Sequence, residues 1–132
     1  MNRRPSKVMR QQTDELRTLA RDMGIDLPPG YEVYVTDTQR GRCNYARKSI
    51  TVPQWAFNNT KAGRRIHKGN ERYREYYLAH ECAHAFTFEA TGERQHRGEF
   101  MQHFMRLCPR ELWHFELNYK PGLARAAGIK AR

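Results

Sequence analysis

Residues 74–88 read REYYLAHECAHAFTF, with apolar or aromatic side chains around most of the circumference a helix would present. Such a pattern predicts a helix packed on several sides, around which the rest of the chain must wrap. Within it stand His80, Glu81 and His84. Two imidazoles and a carboxylate inside a buried helix are costly without a partner, and a metal ion is the simplest partner. Residues four apart share one helix face, so His80 and His84 can each aim a ring nitrogen at one point about 2 Å away, as zinc requires. Glu81 lies on the flank of that face. It is too displaced to be an easy third ligand, and well placed to take a proton from water whose pKa the ion lowers. Ordinary helix histidines with neighbouring hydrogen bonds, and Glu81 as a surface charge, are the alternative; the apolar surroundings count against it.

A catalytic zinc needs a third protein ligand and one open position. The HExxHxxGxxH arrangement fails, because Thr87 and Ala90 occupy the required positions. His96 is the next histidine, and a helix that ends near Gly92 can deliver it at the start of a second helix over HRGEFMQHFMRLC. Glu99 and His103 would then lie on its face, as supporting groups or rival ligands; Glu116 and His114 are further rivals. His114 and Tyr119 are also candidates to stabilise charge on a scissile carbonyl. Cys82 points away from the histidine face and reads as a small core residue.

The remaining pattern is a small α+β domain. A helical stripe at Val8, Leu16, Leu19, Ala20 and Met23 ends at Gly24, and DLPPG breaks the chain. YEVYVTDT alternates like a half-buried strand. RCNYARKSITVP predicts one or two more strands, giving about three, antiparallel or mixed, and QWAFNN a short helical piece. The buried helix runs from about Glu71, capped by Asn70, to Ala90. The aromatic tail packs back on the core, and the basic end, residues 121–132, frays. One domain spans residues 1–132.

Lysines and arginines number 24 against 14 acidic residues, a formal net charge of +10. That balance attracts polyanions and makes nucleic acid the first partner to consider. Arg40, Arg42, Arg47 and Lys48 in one turn, and Lys61, Arg64, Arg65 and Lys68 in a glycine-bearing loop, are candidate phosphate contacts. Tyr45, Trp55 and Tyr73 are candidate stacking surfaces, although packing roles are the simpler reading for all three. No run reaches the roughly 18 apolar residues of a membrane span. The basic start lacks the apolar run of a signal peptide. Three widely spaced cysteines form no CxxC pair. The expectation is a cytoplasmic monomer, nucleoid-associated if it binds DNA.

HECAH followed by HRGEF resembles the SprT-like zinc metallopeptidases, whose site combines HExxH with a later histidine in an HGxxF/W-type segment. His80, Glu81 and His84 match the first element, and His96 and Phe100 the second. GRCNYARKSITVPQWAF is similar to the family's G-x-C turn and following strand, so the resemblance covers roughly residues 29–107. The second element reads His-Arg-Gly instead of His-Gly, and the His84 to His96 spacing is short. The resemblance implies a zincin-like fold with a second ligand-bearing helix. It implies zinc held by His80, His84 and His96, Glu81 as general base, and peptide-bond hydrolysis on DNA-associated proteins. Substrate would add as a strand to a sheet edge, for which Lys48 to Val52 is the candidate.

Two other functions stay open. One is an HExxH peptidase with a glutamate as third ligand, cleaving a repressor-type regulator. The other is a basic nucleic-acid-binding domain with a non-catalytic zinc site.

Overall fold

The computed structural model describes residues 6–57, 71–96 and 98–119. Helix α1 spans Lys7–Asp22, and the Ser6 hydroxyl accepts from the Met9 N–H at its start. Leu16 and Ala20 of the expected stripe are buried, Leu19 and Met23 partly so, while Val8 in the first turn is 52% exposed. Gly24 adopts φ 72°, and the Gly24 and Ile25 N–H groups close the helix on Arg21 and Ala20 carbonyls. That left-handed residue is the one glycine supplies without a Cβ penalty.

Strands β1 (Glu32–Thr36), β2 (Arg42–Asn44) and β3 (Ser49–Pro53) form a mixed sheet in the order β1-β3-β2. β3 runs parallel to β1 and antiparallel to β2. Val33 pairs with Ile50 and Val35 with Val52, and these four buried side chains make the apolar face. Alternate residues Glu32 and Tyr34 are exposed. The period of two fixes this, since alternate side chains leave a strand on opposite faces.

β3 is therefore the middle strand, which corrects the expectation that Lys48 to Val52 is an open edge. Both its sides are already paired. Of the two edges, β1 is lined by α1, where the Thr13 hydroxyl accepts from the Val35 N–H at 3.0 Å. β2 is the other edge.

A 3-10 turn (Gln54–Ala56) follows β3. Helix α2 spans Glu71–Thr91, α3 Glu99–Leu107 and, after a 3-10 turn at Arg110–Leu112, α4 Trp113–Tyr119. In α2, Leu78, Ala79, Cys82, Ala83 and Ala85 are buried, so this helix is enclosed on several sides, as its composition requires. It packs on β2, β3 and α3. Phe100, Met101, Phe104 and Leu107 form the buried face of α3. The architecture is a small α+β domain with, among the described residues, four helices and three strands. No helix among them is long and apolar enough to cross a membrane.

Candidate metal centre

Three histidines meet where α2 passes the segment leading into α3. His84 Nε2 lies 2.9 Å from His96 Nε2, and His80 Nε2 lies 3.1 Å from the same atom. All three ligand-capable atoms fall within 4.8 Å of one another. Two donors on a tetrahedral zinc at about 2.05 Å are separated by about 3.3 Å, so the spacing is close to that of a coordinated set. These three residues could hold a metal ion.

The four-residue spacing in α2 accounts for His80 and His84. His96 arrives differently from the sequence expectation. α3 begins only at Glu99, after Gly98 at φ 59°. His96 thus comes from the connection between two helices, and α3 is not itself ligand-bearing. Local bonds shape that connection. Gly92 turns the chain at φ 77° and donates to the Phe88 carbonyl at 2.7 Å. The Glu93 carboxylate then accepts from the N–H groups of Arg94 and Gln95 at 3.2 and 3.1 Å.

Because His96 lies outside α3, Glu99 and His103 do not share a helix face with it. Glu99 is exposed. His103 stacks on Phe86 with centroids 5.5 Å apart and its Nδ1 is 3.0 Å from Arg106. His114 lies against the Phe115 ring. None of the three belongs to the group that can hold the ion among the described residues. Tyr119 closes α4, and its side chain lies outside the described residues, as do Lys61, Arg64, Arg65 and Lys68.

Glu116 does reach the site, on its far side. The His80 Nδ1 to Glu116 Oε1 distance is 2.7 Å, and the Tyr76 hydroxyl donates to the same oxygen at 2.8 Å. Tyr76 precedes His80 by four residues on the same helix face, a spacing that makes it findable from sequence. Glu116 is brought in by its neighbour: Phe115 stacks on Tyr73 at 4.7 Å and 6°, and meets Tyr76 edge-on at 5.4 Å, docking α4 against α2. Burial pushes the Glu116 carboxyl up. The hydrogen bond and charge of His80, with the Tyr76 hydroxyl, outweigh it and leave the group at about 2.

Glu81 is buried, with an oxygen 3.9 Å from His80 Nε2. Desolvation pushes its carboxyl up to about 7, against the pull of His80 and with a smaller push from Glu116. A buried carboxylate beside the three-histidine cluster is a candidate proton acceptor for water. Phe100, fully buried, forms a wall, its ring centroid 5.1, 4.4 and 4.8 Å from those of His80, His84 and His96.

Cys82 is fully buried, as expected of a core residue. Cys43, on β2, is half-buried, and burial followed by the charges of Glu81 and Glu89 pushes its thiol up to about 12. Tyr45 packs on Phe88 at 4.3 Å beneath Arg94, and Tyr73 is committed to Phe115, so both have packing roles. The Trp55 side chain lies outside the described residues. Arg40, Arg42 and Arg47 are exposed around β2, whereas Lys48 reaches back to Glu89 at 3.9 Å and over the Tyr31 ring.

Comparison with protein-family models, with curated proteins and with solved structures finds no match to this chain.

Proposed function

We propose that this chain is a zinc-dependent peptidase of the SprT-like type, acting on proteins associated with DNA. The observation that carries the reading is the convergence of three imidazole Nε2 atoms beside a buried carboxylate. When bound there, zinc supplies Lewis acidity, polarising a carbonyl and lowering the pKa of water toward neutrality.

The chain's own groups supply the rest. Glu81 accepts the proton from the attacking water and passes it to the leaving amine, which needs a carboxyl that exchanges protons near neutral pH. Phe100 excludes water from one side of the cluster. The substrate chain pairs with β2, whose outer side is the edge not lined by α1 and which packs against α2 near Glu81. Backbone pairing of this kind tolerates many sequences, as a protease of protein adducts requires. The net charge of +10 and the exposed arginines around β2 support a polyanion held close to the substrate edge.

The test is cleavage of an unstructured basic protein by the zinc-loaded chain, with and without DNA. The reading expects fragments from the native protein and none from Glu81→Gln. Equal cleavage by both would count against it.

A further inference from the structure

The bond between His80 and Glu116 leads beyond the ligand set. A neutral imidazole carries one N–H, and which nitrogen bears it depends on what the other faces. His80 faces the Glu116 carboxylate at 2.7 Å on its Nδ1 side; on its Nε2 side stand His96 Nε2 at 3.1 Å and, beyond hydrogen-bond reach, a Glu81 oxygen at 3.9 Å. A carboxylate only accepts, so the Nδ1 position must carry the hydrogen, and in the neutral ring this leaves the Nε2 lone pair directed at the cluster. The same oxygen also accepts from Tyr76, and Glu116 is 2% exposed. Its position is thereby held on two sides, by a hydroxyl from α2 and by the docking of α4.

We propose that Glu116, steadied by Tyr76, is a positioning residue that locks His80 in the Nδ1–H tautomer and thereby presets the metal site before any ion binds. This rests on reading the three histidines as a metal site. It differs from the ligand role considered for Glu116 from sequence, because the carboxylate engages the nitrogen that points away from the cluster. Carboxylate partners of ligating histidines fix the ring and raise its basicity, and their loss typically weakens metal binding about 10–100-fold. The arrangement also ties the site to α4: the last helix among the described residues supplies the group that orients a ligand on the central helix.

The experiment uses long-range proton–nitrogen correlation spectra of the imidazoles in the whole protein, stripped of metal with a chelator, and zinc affinity by competition with a chromophoric chelator. The wild-type apoprotein should show His80 as the Nδ1–H tautomer. Glu116→Ala should lose that preference and bind zinc about 10–100-fold more weakly. Glu116→Gln keeps an oxygen acceptor and should retain the tautomer with a smaller loss of affinity. Tyr76→Phe serves if the alanine variant does not fold, and should move both readouts in the same direction by less. An Nε2–H tautomer in wild-type apoprotein overturns the proposal. So does a Glu116→Ala protein with unchanged tautomer and affinity. Failure of wild type to bind zinc would sink the metal reading, while the apoprotein spectra still decide the role of Glu116.

Discussion

His84 and His96, twelve residues apart, place their Nε2 atoms 2.9 Å from each other. One belongs to a buried helix and the other to the seven-residue connection that follows it. Their meeting depends on the turn at Gly92 and the Glu93 side chain. A site assembled across such a connection should gain rigidity from a bound ion.

That gain is measurable as thermal stability. A ligand that binds only the folded state adds about 2.7 kcal/mol at a hundredfold excess over its Kd, or a rise of about 10 °C in Tm for a domain of this size. Zinc added to chelator-stripped protein should raise Tm by this order in scanning calorimetry. His84→Ala should abolish the rise. An equal rise in that variant would mean the ion binds elsewhere.

Glu81→Gln should lower the rate of peptide cleavage by about 10²–10⁴-fold, the usual contribution of a positioned general base. Zinc content and Tm should stay close to wild type, because the amide has nearly the same shape and removes a buried charge. Cleavage rates alongside metal analysis check this. A variant that loses zinc in parallel with activity would assign Glu81 a structural role.

Phe100 contacts all three imidazole rings and is fully buried. Phe100→Ala should cost about 3–5 kcal/mol in urea unfolding, from lost transfer energy and the cavity left behind. Phe100→Leu keeps most of the volume and should cost less. A loss under about 1 kcal/mol for the alanine variant would show that the wall is less tightly packed than the structure has it.

Gly41 sets the position of β2. A Cβ there would lie 2.7 Å from Tyr77 Cδ1 and 3.0 Å from the Thr51 carbonyl oxygen, a backbone atom of β3. Gly41→Ala should therefore displace the start of β2 and cost about 1–3 kcal/mol. If β2 receives substrate, KM should rise more than kcat falls. Unchanged stability and unchanged KM would contradict both statements.

The sequence made some of this legible and hid the rest for physical reasons. Period two along β1 and near-continuous apolarity along α2 mark their burial directly, and the His80/His84 spacing is a local helical property. Strand order is not local: β3 reads like an edge because its flanks are polar, yet it pairs on both sides through contacts sequence periodicity does not encode. The sequence pattern starts α3 at His96, whereas Gly98, at φ 59°, delays it to Glu99, because that backbone geometry is not readable from the helical pattern alone. Glu116 was visible as an acidic residue but not in its role, which depends on how Phe115 docks on Tyr73 and Tyr76 across about forty residues of chain.

The central claim is that His80, His84 and His96 together bind one divalent ion. Metal analysis of purified protein, after zinc loading and removal of excess, tests it most directly when wild type and His96→Ala are compared. The account predicts about one zinc per wild-type chain and a large loss in the variant. Full zinc occupancy in His96→Ala, or none in a folded wild-type protein, would contradict it.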